Sequence, residues 1–142
     1  MKITIGSDHR GFGLKEIIKK HFSDTEWVDV GTTDSEQRVD YPVFAKSVCK
    51  NVLEKTADLG ILICGSGVGM SIAANRFPKI YAALCWNTEV ACAAKNHDSA
   101  NVLILPADFV ANDEAVEIVQ TWLKSEFLGD RYLDRLKIID SK

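Results

Sequence analysis

Residues 57–76 read ADLGILICGSGVGMSIAANR: an apolar run ending in a cysteine, then a loop of three glycines, then a helix-patterned segment. A short, nearly continuous apolar run stopped by glycines and followed by a helix is a strand–loop–helix unit whose strand is buried on both faces. The same unit recurs outward in both directions. KITIGS (2–7), EWVDVG (26–31), IYAALCW (80–86) and NVLILP (101–106) read as four more strands. LKEIIKKHF (14–22), YPVFAKSVCKNVLEK (41–55), MSIAANRF (70–77), TEVACAAKNH (88–97) and NDEAVEIVQTWLKSEF (112–127) read as the helices after them. The first helix is expected to turn its lysines outward, Pro78 to close the third, and Asn112 to cap the fifth. Five β-α units imply a five-stranded parallel sheet with helices on both faces, an α/β fold of three layers in a single domain over residues 1–142.

Composition narrows the function classes. A formal charge of −3 over 142 residues gives no basic field for nucleic acid, so a small ligand is the expected partner. The start, MKITIGSDHRG, lacks the apolar centre of a signal peptide, and no apolar run reaches the length of a membrane span. These features predict no membrane partner and a place in the cytoplasm. Cys49, Cys64, Cys85 and Cys92 show no CxxC pairing, which argues against a zinc site or a disulfide framework. Cys49, Cys85 and Cys92 are read as small core residues. The segment at 128–142, LGDRYLDRLKIIDSK, is amphipathic, with Leu133, Leu136 and Ile139 beside Arg131 and Arg135. A free end should not expose such a face, so it is expected to pack on another subunit.

Ligands of open parallel sheets bind beyond the carboxyl ends of the strands. Ser7, Asp8 and His9 follow the first strand, Cys64 to Gly69 follow the third, and His97, Asp98 and Asn101 flank the fifth. One rim is thus expected to gather a carboxylate, a thiol and two imidazoles. The loop reads Gly65-Ser66-Gly67-Val68-Gly69, which is neither the GxGxxG of dinucleotide folds nor a Walker loop. Position gives Cys64 two readings, a thiolate stabilised by loop amides and a helix start, or a core cysteine ending a buried strand. A thiol base beside amides and the Ser66 hydroxyl suits proton transfer next to a carbonyl, because the intermediate carries a negative oxygen. His97 is either a ring that acts on a ligand or a cation at a helix C-terminus. His9 is equally open, and His21 reads as surface. Arg131 and Arg135 share a helix face and can clasp one phosphate. The alternative from another class is a non-catalytic nucleotide or sugar-phosphate binding module.

GSDHRGFGLK (6–15), DYP (40–42), GILICGSGVGMSIAANR (60–76), NHDSANVL (96–103) and GDRYLDR (129–135) together resemble the type B ribose-5-phosphate isomerases, a family that includes galactose-6-phosphate isomerase subunits. The resemblance implies a Rossmann-like sheet with a C-terminal interface helix, assembled as a homodimer or dimer of dimers with shared active sites. It implies an aldose–ketose isomerase that needs no metal or cofactor and acts on a phosphorylated pentose in the pentose phosphate pathway. A hexose 6-phosphate, of galactose or allose, is the alternative. Under the resemblance Cys64 is the base, His97 opens the sugar ring with Asp8 assisting, and Ser66 with the amides of Gly65, Gly67, Val68 and Gly69 holds the enediolate oxygens. Tyr41 lines the site, and His9, Arg131 and Arg135 bind phosphate, the arginines coming from the partner. The chain departs from the family pattern at Asp98, Asp108, Asp130 and Tyr132.

Overall fold

The computed structural model describes residues 1–141. Five strands, β1 (Lys2–Ser7), β2 (Glu26–Asp29), β3 (Leu59–Cys64), β4 (Ala82–Leu84) and β5 (Val102–Pro106), form one sheet in the order β2-β1-β3-β5-β4. Every pairing is parallel. Six helices flank it: α1 (Phe12–His21), α2 (Tyr41–Leu53), α3 (Val68–Ala74), α4 (Thr88–Asp98), α5 (Asn112–Lys124) and α6 (Arg131–Asp140). The expected parallel α/β sandwich is what forms.

Strand side chains alternate between two cores, as the pleat requires. Ile61 and Ile63 join Ile3, Ile5, Leu103 and Leu105 under α1, α4 and α5, around the fully buried Trp122. Leu62 and Cys64 join Val102 and Ile104 under α2 and α3, against Val48, Cys49, Met70 and Ala74. Residues 59–64 are therefore apolar without a break because both faces of β3 are covered.

Several local expectations need correction. Lys15 does not face outward: its side chain is 1% exposed, and its Nζ lies 2.6 Å from Asp29 Oδ2. Lys19 reaches the same oxygen at 2.7 Å, so the carboxylate at the end of β2 draws two lysines inward. Helix α3 ends at Ala74, well before Pro78, because the Asn75 side chain exchanges two hydrogen bonds of 2.9 Å with the backbone of Ala82. Asn112 is the first helical residue of α5; the cap is Ala111, which has no side-chain acceptor to offer. Cys49 and Cys85 are buried, but Cys92 is only half-buried, and its sulfur accepts from Asn96 Nδ2 at 3.2 Å.

Helix α6 lies against the end of α4 and the start of β4. Leu136 is buried there, and Asp140 accepts from both Lys79 Nζ and Tyr81 Oη at 2.6 Å. Leu133, Ile138 and Ile139 remain exposed.

Candidate active site

The site sits where the sheet order places it. From β1 the chain crosses to β2 on one side, whereas β3 lies on the other, so the loops after β1 and β3 part and leave a crevice. Ser7 pairs with Ile63 across these strands, which brings Asp8 beside Cys64. The loop after β5 closes the third side: Ala107 N donates to Cys64 O at 2.9 Å and Asp108 N to Gly65 O at 3.0 Å. Asp8, Arg10, Tyr41, Cys64, Gly65, Ser66, Gly69, Asp108 and Phe109 line the resulting open pocket of about 380 Å³.

Gly67 turns the loop with φ of 77°, a left-handed conformation that costs a residue with a Cβ but not glycine. That turn aims the Gly67 N–H at Cys64 Sγ, 3.2 Å away, while Val68 N donates to Ser66 Oγ at 3.2 Å. Gly69 is a close-approach position, since a Cβ there would lie 2.7 Å from Tyr41 Oη. The Tyr41 ring thus packs against the loop at Gly69. Asp8 is buried and its Oδ1 accepts from the amides of Arg10 at 3.0 Å and Gly11 at 3.1 Å. His9 Nδ1 accepts from Val39 N at 3.3 Å. A neutral His9 ring therefore carries its proton on Nε2, ready to donate.

Burial pushes the Cys64 thiol above its ordinary pKa, and the Asp8 charge adds to the rise; the amides of Met70, Gly67 and Ser66 pull it back without cancelling it. The amides do converge on the sulfur as the glycine spacing suggested. The expected resting thiolate is nonetheless not favoured, because the sulfur is taken out of water on the α2–α3 side of the sheet.

His97 is the main correction. It does not share the rim with Cys64. A crossover helix in a parallel sheet must return to the amino edge before the next strand begins, so the last turn of α4, with His97 and Asp98, lies at the edge opposite Cys64. His97 stacks there on Tyr132 of α6, with ring centroids 4.6 Å apart and planes 14° apart. The guanidinium carbons of Arg131 and Arg135 stand 5.0 and 5.4 Å from the centre of the same ring. Tyr132, one of the departures from the family pattern, is the platform that gathers His97 and both arginines into a basic face. One chain therefore carries the Cys64 pocket and this basic face at opposite edges of its sheet.

Arg10 and Phe109 were missed as pocket residues. Both follow strand ends, so the rule that found Asp8 and Cys64 covered them, but neither type stands out as chemistry. Among the described residues no cluster of three His, Cys, Asp or Glu is placed to hold a metal ion. Among them, too, no helix is long and apolar enough to cross a membrane.

The sequence profile described as Ribose/Galactose Isomerase matches residues 3–139. The chain belongs to the ribose/galactose isomerase family. Within that family it is 41% identical over 140 residues to the ribose-5-phosphate isomerase B of Escherichia coli strain K12, covering 97% of this chain and 93% of that one. The crystal structure of the Thermotoga maritima ribose 5-phosphate isomerase superposes with a TM-score of 0.95 at 45% identity, covering 98% of this chain and 97% of that one. The isomerase B of Mycoplasma genitalium, solved with bound ribulose-5-phosphate, gives a TM-score of 0.93 at 42% identity, covering 98% of this chain and 93% of that one. The isomerase fold is thus matched over nearly the whole chain.

Proposed function

We propose that the chain interconverts D-ribose 5-phosphate and D-ribulose 5-phosphate, with Cys64 as the base. The observation that carries this reading is the Cys64 sulfur in an open pocket, 3.2 Å from a loop amide and flanked by Asp8, Ser66 and Tyr41. Ligand-bound structure at 42% identity supports the pentose, since ribulose-5-phosphate is what the Mycoplasma relative holds. A galactose or allose 6-phosphate is the alternative that the departures at Asp98 and Asp108 leave in range, and the family's description includes galactose.

In the aldose-to-ketose direction Cys64 first gives its thiol proton to water; the thiolate then removes the proton from C2, and the electron pair moves through C1 onto the carbonyl oxygen to give a cis-enediolate. Ser66 Oγ and the loop amides stabilise that oxygen. Transfer of the hydroxyl proton from O2 to O1 and return of the thiol proton to C1 complete the ketose, so no atom is gained or lost. No metal or cofactor enters these steps.

Ring opening falls to His97, with Asp8 assisting, and phosphate binding to His9, Arg131 and Arg135. Because His97 and both arginines lie at the opposite edge of the sheet, this chemistry requires a second copy to bring its basic face to the Cys64 pocket. The assembly is a homodimer, alone or paired again, with α6 and its exposed Leu133, Ile138 and Ile139 at the interface. The reaction belongs to the pentose phosphate pathway, in the cytoplasm.

The test is a coupled assay of ribose 5-phosphate conversion in EDTA, on wild type and Cys64→Ala. Activity should survive chelation and fall by at least about 100-fold without the thiol, as positioned bases contribute 10²–10⁴-fold. A loss smaller than about tenfold removes Cys64 as the base, and a wild type that turns over only hexose phosphates removes the pentose.

A further inference from the structure

Arg10 and Asp108 form an ion pair at the mouth of the Cys64 pocket. The pair lies over the first glycine of the loop: a Cβ on Gly65 would be 2.7 Å from Asp108 Oδ2 and 2.8 Å from Arg10 Nε. Both backbones are fixed to the site. The Arg10 amide donates to Asp8 Oδ1 at 3.0 Å, and the Asp108 amide to Gly65 O at 3.0 Å.

We infer that Arg10 is a ligand for the substrate's phosphate, and that Asp108 is a built-in counter-anion which occupies Arg10 until the substrate displaces it. This assignment rests on the proposed sugar-phosphate substrate.

Three observations carry it. Arg10 is the cation in the pocket lining, which otherwise holds two carboxylates, Asp8 and Asp108. A dianion entering the pocket meets repulsion from both unless Arg10 turns to it. The pair is also exposed, with side chains 59% and 35% accessible, and exposed pairs contribute little to stability. It is poorly explained as a brace and is readily exchanged. Finally, a guanidinium presents a fork that accommodates two phosphate oxygens, whereas Asp108 engages it through Nη2. A phosphate gains the full fork that the carboxylate leaves partly unused.

The consequence is a substrate affinity set below what the pocket could reach. Releasing Arg10 recovers what an exposed pair is worth, about fivefold in affinity. Specificity follows the same logic, since a neutral sugar has no group able to outcompete Asp108.

The experiment titrates inorganic phosphate against wild type, Asp108→Asn, Arg10→Gln, Arg10→Lys and the Asp108→Asn/Arg10→Gln double variant, by calorimetry and by inhibition of isomerase activity. Asp108→Asn should tighten phosphate binding about fivefold and lower KM for ribose 5-phosphate in parallel. Arg10→Gln should weaken both, Arg10→Lys should restore only part, and thermal melting should show all variants folded. In the Arg10→Gln background the gain from Asp108→Asn should largely vanish. An Asp108→Asn protein that binds phosphate as wild type does, a gain that persists in full without Arg10, or no saturable phosphate binding in any protein would each overturn the assignment. Calorimetry needs no turnover, so a wild type inactive on ribose 5-phosphate but with the phosphate pattern intact would refute the reaction and leave Arg10 as an anion ligand.

Discussion

Replacing Gly67 by alanine tests the link between loop geometry and the thiol. The residue sits at φ of 77°, where a Cβ costs roughly 1–2 kcal/mol. That Cβ would also lie 2.5 Å from Leu84 Cδ1 and 3.2 Å from Ile104 Cγ2. Ile104 is fully buried on a central strand and cannot give way freely, so overpacking adds roughly 1–3 kcal/mol. The expected loss of stability is thus roughly 2–5 kcal/mol, seen as a lower urea midpoint at unchanged slope. The clash is relieved most easily by moving the loop off β4 and β5. That takes the Gly67 N–H away from Cys64 Sγ and raises the thiol pKa further, since a donor to the thiolate is lost. The pH dependence of Cys64 alkylation by iodoacetamide, in a Cys92→Ser background, reads this shift directly. Gly13→Ala is the control: nothing lies within 4 Å of its Cβ position on α1, so the same exchange should stabilise by roughly 0.5–1 kcal/mol. A Gly67→Ala protein within roughly 1 kcal/mol of wild type and with an unshifted alkylation profile would refute the reasoning.

Three further outcomes are expected. Mixing Cys64→Ala with His97→Asn, each nearly inactive, should restore about a quarter of wild-type activity once subunits exchange, because random pairing makes one intact shared site in half of the dimers; no recovery after proven exchange would show that one chain supplies the whole site. Burial pushes Cys49 and Cys85 from 9.0 up to about 12, so the native state keeps protons that the unfolded chain has lost. Their contribution is complete below pH 9 and falls as pH rises towards 12, by about 1.4 kcal/mol per pH unit for each thiol, and urea unfolding at pH 8 and 10.5 should show a slope that the double alanine variant flattens. Asp29→Asn should cost about 1.5–3 kcal/mol, measured by chemical unfolding, because it takes the 2.6 Å charged partner from buried Lys15 and leaves Glu16, at 3.1 Å, as its remaining carboxylate.

The sheet was legible because β3 and β5 have helices on both faces, so their apolar runs carry no alternation to confuse with an amphipathic helix. Helix ends were less legible. Asn75 stops α3 by bonding the backbone of Ala82, a partner seven residues away that no local rule can supply. The burial of Lys15 has the same origin: its partner Asp29 lies on another element, and a helical wheel shows only that lysines prefer water. Half the candidate site followed from strand ends alone, since Asp8 and Cys64 close β1 and β3 at the parting of their crossovers. Arg10 was hidden by its type. An exposed arginine normally marks a solvated surface, and only the position of Asp108 across Gly65 gives it a role.

His97 was misplaced for a reason with consequences. Strand-end reasoning gathers residues that follow a strand, whereas His97 precedes one and so belongs to the amino edge. A ligand spanning Cys64 and His97 cannot be served by one copy of this sheet. The charges agree with that division: the Cys64 pocket holds two carboxylates and one arginine already paired, whereas the face built on Tyr132 carries Arg131 and Arg135 with His97. An isolated chain thus has Cys64 in a pocket of net negative charge, where Asp108 occupies Arg10, and has Arg131 and Arg135 at the edge that Cys64 cannot reach. In the proposed reaction, joining two copies supplies each pocket with the charge it lacks, so assembly is a condition of catalysis, and dilution below the dissociation constant of the dimer should abolish turnover while the fold of each chain persists.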